Sequence, residues 1–307
     1  MSLLMGVCGL GFAKPLNHIV VFGDSLSDNG NLYAYTHHQV PPSPPYFEGR
    51  FSNGPVWVEY LTRVYFPTQE MENYLSDYAF GGAGVAESLM NGSPLLTLKK
   101  EVDTYLLANH DKADPNRLYL LWIGANNYLG VPSAADDVPN QVNTGISEQL
   151  KRLVKAGAKH ILIMNLPDLG KLPMARMLGV EKQLTQFASQ HNALLSEKIK
   201  HLQETYTGVQ WLYFNVNQML EELMTAPTSY GFTNIKEPCY KTNGLLQSLP
   251  ADSLKMVAEV QTEPMSCDGY LFFDAIHPTG LAHQIMANRM QAFLEDAGIE
   301  LKAGLLR

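Results

Sequence analysis

The 307-residue sequence has no long hydrophobic run and no concentration of positive charge. No apolar run reaches the roughly 18 residues that a membrane-spanning helix needs, so we do not expect an integral membrane protein. No Lys/Arg cluster is longer than the pair Lys99-Lys100, and the net charge is −8 at pH 7. Because a basic face is missing, we expect neither nucleic-acid binding nor firm adsorption to anionic lipid head groups.

Charged residues are scarce as well, at 17% of the chain, against about 25% in an average soluble domain. Hydrophobic residues make up 46%. A chain of this composition is too apolar to remain disordered, and it is long enough to bury one sizeable core.

Cysteine is nearly absent, with only Cys8, Cys239 and Cys267. No Cys-x-x-Cys pair occurs, and the nine histidines do not show the spacing of zinc ligands. A phosphate-binding glycine loop is also missing. We therefore expect no metal and no cofactor.

Residues 1–13 read MSLLMGVCGLGFA, an apolar stretch that ends in small residues. This pattern resembles the core and cleavage site of a secretory signal, although the usual positively charged start is missing. The alternative is an apolar arm packed on the domain. The signal interpretation predicts a secreted or periplasmic protein in an oxidising compartment. Once the leader is removed, Cys239 and Cys267 remain, and we expect them to form a disulfide.

Short apolar runs alternate with segments of helical periodicity along the chain. Continuous apolar strands, rather than alternating ones, are typical of a sheet buried on both faces. The alternation predicts an α/β fold with a mostly parallel sheet and helices on both sides. The predicted strands are His18–Phe22, Leu118–Ile123, His160–Asn165 and Val209–Asn215, and the clearest helices lie at 55–66, 138–156, 184–202 and 278–297. Residues 225–268 show weak periodicity and predict a long loop.

Ser25 follows the first predicted strand, in the segment Gly23-Asp24-Ser25-Leu26. A hydroxyl at this position lies at the carboxyl edge of the sheet, where backbone N–H groups favour negative charge. The segment therefore suggests a nucleophilic serine. The alternative is an ordinary helix cap.

A serine nucleophile needs a base, and Asp274-Ala275-Ile276-His277-Pro278 offers one. A carboxylate that binds one imidazole nitrogen leaves the other nitrogen free to take the serine proton. We therefore select His277 as the base and Asp274 as its partner. The alternative is a surface Asp–His cap at the start of the last helix.

Attack on an ester creates an oxyanion that needs hydrogen-bond donors. The segment Gly81-Gly82 offers bare backbone N–H groups, and Asn126 offers a side-chain amide after the strand at 118–123. Each signal is weak alone, because Gly-Gly and a post-strand Asn are common in turns.

Together these motifs, in this order, resemble the GDSL, or SGNH, hydrolase family over about residues 17–297. The block Gly-Arg-Phe-Ser-Asn-Gly-Pro at 49–55 is similar to the lipolytic branch of that family. The resemblance implies a three-layer α/β/α sandwich with a mostly parallel, flavodoxin-like sheet in a single domain, 14–307. It implies Ser25 as nucleophile, His277 as base and Asp274 as the orienting carboxylate. It also implies an oxyanion hole formed by the Ser25 backbone, Gly82 and Asn126.

The family resemblance implies a serine ester hydrolase that cleaves (lyso)phospholipids through an acyl-serine, with acyl transfer to another alcohol as a further activity. The expected partner is a lipid substrate, met in transient contact with a membrane or micelle. An aromatic group either lines an acyl-chain path or packs in the core; its members are Tyr33, Tyr35, Tyr46 and Phe47. One alternative is a short-chain carboxylesterase or thioesterase. A more distant one is a non-catalytic binding module on the same fold.

The Cys239–Cys267 loop immediately precedes Asp274 in the sequence. We expect the segment 225–268 to act as a tethered lid over Ser25. Reduction of the disulfide, or cleavage of the loop by a processing protease, is then expected to alter access to the serine.

Overall fold

The computed structural model describes residues 15–67, 70–85, 97–133, 137–241 and 266–302. The expected leader, 1–13, lies outside the described residues. No helix in the described ranges is both long and apolar enough to cross a bilayer.

A five-stranded parallel sheet forms the centre of the molecule, with strand order β2-β1-β3-β4-β5. This is the strand order of flavodoxin-like folds, so the predicted α/β architecture is confirmed. The four predicted strands correspond to β1, β3, β4 and β5, whereas β2 was not predicted. The strands are β1 His18–Gly23, β2 Leu75–Asp77, β3 Arg117–Trp122, β4 His160–Met164 and β5 Gln210–Phe214.

Helices cover both faces of this sheet. Successive strand side chains point to opposite faces, and β1 shows this directly. Val20 and Phe22 pack on one side with α3, α5 and α7, whereas Ile19 and Val21 pack on the other with α2 and α9. The result is a three-layer α/β/α sandwich. The helices are α1 Asn31–Tyr35, α2 Trp57–Tyr65, α3 Leu98–Ala108, α4 Asn126–Leu129, α5 Val138–Ala156, α6 Pro173–Leu178, α7 Glu181–Thr205, α8 Val216–Thr225 and α9 Gly280–Asp296.

The segment predicted as a loop, 225–268, contains regular structure at its described end. Strand β6, Asn234–Pro238, pairs in parallel with β7, Tyr270–Phe272, in a separate small sheet. A disulfide joins Cys239 to Cys267 across a Cα–Cα distance of 5.4 Å. Residues 242–265, on which the lid hypothesis depends, lie outside the described residues, so the lid remains a prediction.

The end of β1 leaves no space for a side chain. A Cβ atom on Gly23 would lie 2.6 Å from the carbonyl oxygen of Trp122 on the neighbouring strand. The Gly23 N–H also donates to the buried Glu101 carboxylate at 2.9 Å. The glycine therefore allows β1 and β3 to approach closely just before the chain reaches Ser25.

We predict that Gly23→Ala lowers the free energy of unfolding by about 1–3 kcal/mol, because the backbone must move to relieve the overlap. Urea unfolding measures this change. Gly130→Ala is the matched control, since a Cβ there meets nothing within 4 Å, and it should change stability by less than about 0.5 kcal/mol. Equal effects of the two substitutions would contradict the explanation.

Candidate active site

The structure brings Ser25 and His277 into hydrogen-bond contact, although 252 residues separate them in the chain. The Ser25 Oγ atom lies 2.8 Å from His277 Nε2. Ser25 is in the turn that follows β1, and His277 is in the loop between β7 and α9. The side chains are 6% and 5% exposed, so the pair is shielded from bulk water while remaining at the edge of the sheet.

Asp274 holds the other side of the imidazole. Its Oδ2 atom lies 2.7 Å from His277 Nδ1. Its Oδ1 atom accepts the backbone N–H groups of Ile276 at 2.8 Å and His277 at 2.7 Å. Burial by itself would raise the pKa of Asp274, but the facing His277 and these hydrogen bonds hold that pKa below its usual range. Asp274 is therefore a carboxylate at neutral pH.

This charge fixes the direction of each hydrogen bond in the chain. A carboxylate accepts only, so His277 Nδ1 carries the proton that it donates to Asp274. In the neutral ring, Nε2 is then an acceptor, and the Ser25 hydroxyl donates to it. The arrangement is suited to the transfer of the serine proton onto the imidazole.

Residues of the segment 49–55 pack against and hydrogen-bond to the loop that carries His277. The Phe51 ring lies 5.0 Å from the His277 ring, centroid to centroid. The Ser52 hydroxyl donates to the Pro278 carbonyl at 2.9 Å. Asn53 Oδ1 accepts the N–H of the first residue of α9 at 2.8 Å. The sequence motif thus has a physical role, which is to position the histidine.

Asp28 joins the loops that follow β1 and β2. Its carboxylate is fully buried and accepts the backbone N–H groups of Gly30, Asn31 and Leu32 within its own loop. It also accepts the Gly81 N–H at 2.7 Å. Because the Gly81 N–H is used in this way, it is not available to an oxyanion.

Gly82 and Asn126, the other two predicted site residues, lie on loops that touch one another. Gly82 has a φ of +78°, a conformation that favours glycine, and a Cβ there would meet nothing within 4 Å. Asn126 opens α4 and donates from Nδ2 to the Ala83 carbonyl at 2.8 Å. The next residue, Asn127, accepts the Val85 N–H at 2.8 Å, so the asparagine at this position supports the glycine loop.

Buried carboxyl groups surround this edge of the sheet, and the sequence reasoning did not identify them. Burial raises the pKa of Asp24 to about 6, although the Leu26 N–H and the nearby His277 partly offset the effect. Burial also raises the pKa of Asp77 and of Glu101 well above the usual range. Of these three, only Glu101 could have been recognised in the sequence as a buried carboxyl group, because it is a charged residue on the otherwise apolar face of α3.

A comparison with protein families places this chain in a known group. Residues 19–290 match the family model described as GDSL-like Lipase/Acylhydrolase. The match covers most of the chain, so the protein belongs to this family. It is accordingly a serine ester hydrolase of the lipase and esterase class.

Three relatives illustrate the range of the family. Phosphatidylcholine-sterol acyltransferase of Aeromonas hydrophila is 32% identical, with 91% of this chain and 90% of that protein aligned. Secreted effector protein SseJ of Salmonella typhimurium is 28% identical, over 91% of this chain and 64% of that protein. Thermolabile hemolysin of Vibrio parahaemolyticus is 28% identical, over 90% of this chain and 63% of that protein.

The raised pKa of Asp24 makes the stability of the fold depend on pH. The ordinary pKa is 3.8, and burial moves it to about 6 in the folded protein. The contribution of Asp24 to stability is therefore fully present below about pH 4 and is lost as the pH rises through 6. About two pKa units correspond to roughly 3 kcal/mol.

We predict that Asp24→Asn, which cannot ionise, gains stability relative to the wild type by roughly 2 kcal/mol between pH 4 and pH 8. Urea unfolding at the two pH values gives the difference. Asp111→Asn, at an exposed turn, is the matched control for the exchange of aspartate for asparagine itself. If the stability difference between Asp24→Asn and the wild type did not change with pH, burial would not raise the pKa of Asp24.

Proposed function

We propose that the protein hydrolyses acyl esters through a covalent acyl-Ser25 intermediate. One observation carries the proposal, namely the continuous chain of contacts from Ser25 Oγ to His277 Nε2 at 2.8 Å and from His277 Nδ1 to Asp274 at 2.7 Å. His277 takes the serine proton as Oγ attacks the ester carbonyl, and later gives it to the leaving alcohol. Asp274 orients the imidazole and stabilises its charged form.

The oxyanion of the tetrahedral intermediate is bound by the backbone N–H groups of Ser25 and Gly82 and by the amide of Asn126. The selection of Gly82 over Gly81 is supported by the bond that Gly81 already donates to Asp28. The selection of Asn126 is supported by its tether to Ala83, which places the amide against the glycine loop.

The acyl chain of the substrate enters an apolar cavity of about 80 Å³ whose wall includes chain neighbours of Ser25, Asn126 and His277. Sequence neighbours of three of the site residues line it, namely Leu26 next to Ser25, Ala125 next to Asn126, and Ile276 and Pro278 on either side of His277. Leu220 and Leu223 of α8 form another part of the wall. A concave apolar surface of this kind suits a lipid acyl group.

The cavity has no charge to interfere with an apolar chain. Of its described lining residues, His283 is the one titratable group. Burial, reinforced by the nearby His277, lowers the pKa of His283 to about 3, so it is neutral at physiological pH. His283 also receives the Trp57 N–H on Nδ1 at 3.2 Å, which fixes its ring.

We favour a lysophospholipid as substrate, met at a micelle or membrane surface. The short helix α6 begins with a hydrogen bond from the Met174 N–H to the Ala275 carbonyl in the catalytic loop. It then exposes Met177 and Leu178, at 51% and 38%. These side chains would make transient contact with lipid close to the catalytic loop, without a basic patch.

Deacylation by water gives hydrolysis, and deacylation by a second alcohol gives acyl transfer. The name of the Aeromonas relative, an acyltransferase, supports the second outcome for this chain as well. The name of the Salmonella relative, a secreted effector, supports export, as does the Cys239–Cys267 disulfide. A short-chain carboxylesterase or thioesterase is the rival function, favoured if the cavity accepts only short acyl groups.

We predict that the enzyme releases fatty acid from lysophosphatidylcholine faster than from diacyl phosphatidylcholine, and that Ser25→Ala abolishes both reactions. The kcat/KM for soluble esters should rise with acyl-chain length, because each buried methylene adds about 0.8 kcal/mol of binding free energy. Release of fatty acid and of p-nitrophenol measures the two series. Hydrolysis of short esters alone would establish the carboxylesterase function, and activity retained by Ser25→Ala would exclude the serine mechanism.

We predict that Asn126→Ala lowers kcat by about 10²–10³-fold, because an oxyanion donor acts mainly in the transition state. KM for a soluble ester should change by less than about threefold. Steady-state kinetics give both constants. Asn140→Ala, at an exposed position of α5, is the control and should retain the wild-type rate. A change in KM alone would place Asn126 in ground-state binding.

A further inference from the structure

Tyr46 makes a contact that the triad does not require and that sequence reasoning did not predict. Its hydroxyl donates to Asp274 Oδ2 at 2.8 Å. The same oxygen accepts from His277 Nδ1 at 2.7 Å. The Tyr46 side chain is 2% exposed and packs with buried aromatic residues, so it does not line an acyl-chain path.

The hydroxyl is a permanent donor. Burial, together with the negative charge of Asp274, raises the pKa of Tyr46 well above its ordinary value. The phenol is therefore protonated at neutral pH. The neutral phenol therefore donates a hydrogen bond to the ionised Asp274 carboxylate, and such charge-assisted hydrogen bonds are among the stronger ones.

The direction of the Tyr46 ring is fixed on three sides. Phe273 meets it edge-on at 5.0 Å between ring centroids, and Phe51 and Tyr240 do so at 6.0 Å each. Edge-to-face contacts of this kind favour one ring orientation. The hydroxyl is thus held at Asp274 by packing and not only by its hydrogen bond.

With Tyr46 included, Oδ2 of Asp274 accepts two donors, while Oδ1 accepts two backbone N–H groups and also lies 3.0 Å from His277 Nδ1. Oδ1 receives the backbone N–H groups of Ile276 and His277, and Oδ2 receives Tyr46 and His277 Nδ1. Removal of the phenol would leave Oδ2 with the imidazole alone. The carboxylate would then be held only by donors of its own turn, Asp274 to His277, and the orientation that it imposes on the imidazole would be less tightly fixed.

We propose that Tyr46 is a positioning residue for catalysis, which acts through Asp274 to hold the His277 imidazole in line with Ser25 Oγ. This inference rests on the proposed serine mechanism. Tyr46 touches neither the nucleophile nor the ester. Its effect should therefore appear in the rate of the chemical step and not in substrate binding.

The experiment compares Tyr46→Phe with Tyr240→Phe on a short soluble ester. Tyr240 belongs to the same aromatic cluster, and its hydroxyl has no hydrogen-bond partner among the described residues. We expect Tyr46→Phe to lower kcat by about tenfold, with KM within twofold of the wild type, since a hydrogen bond to a charged group is among the stronger ones. Tyr240→Phe should retain the wild-type kcat. Equal losses in both variants would assign the effect to packing, and no loss in Tyr46→Phe would overturn the proposal.

A double-mutant cycle with Asp274→Ala separates positioning from general support of the fold. Without the carboxylate, Tyr46→Phe should change the residual kcat by less than twofold. A tenfold loss in this background as well would show that Tyr46 does not act through Asp274. If Asp274→Ala does not fold, Asp274→Ser takes its place. Failure of the serine mechanism itself would be seen separately, as wild-type activity that does not depend on Ser25.

Discussion

The buried negative charge of Asp274 is the constraint on which the site depends. An uncompensated carboxylate in a fully buried position is costly, so it must be paired and hydrogen-bonded. Here the compensation comes from two backbone N–H groups, the His277 imidazole and the Tyr46 phenol. The first three donors require the tight turn from Asp274 to His277. The carboxylate therefore determines both the shape of this loop and the direction of the imidazole.

The parallel sheet supplies the other half of the arrangement, because the carboxyl ends of its strands meet at one edge. The turn after β1 carries Ser25, the loop after β2 carries Gly82, and the start of α4 after β3 carries Asn126. Two polar side chains hold these loops together. Asp28 links the loop after β1 to the loop after β2, and Asn126 links the loop after β2 to the start of α4. Loops on a rigid scaffold can thus place donors from distant parts of the chain around one atom.

The sequence identified the residues whose chemistry is visible in a local pattern. Ser25 follows a glycine at the end of an apolar run, and Asp274 lies three residues before His277, so both could be found without coordinates. Tyr46 and Asp28 could not, because their roles arise from contacts with residues far away in the chain. Strand β2 was missed for a related reason. It has three residues, Leu-Ser-Asp, and pairs through its backbone with β1, so its composition carries no strand signal.

The buried carboxyl groups near Ser25 lower the free energy of unfolding at neutral pH. Asp24, Asp77 and Glu101 each have a pKa raised by burial, which means that each would be more stable in water when ionised. Glu101 nonetheless accepts the Gly23 N–H, and Asp24 accepts the Leu26 N–H, on either side of Ser25. Side chains that cost stability thus fix the backbone around Ser25. Several carboxyl groups whose burial is unfavourable lie at one edge of the sheet. This is expected where selection acts on the geometry of a site rather than on the stability of the domain.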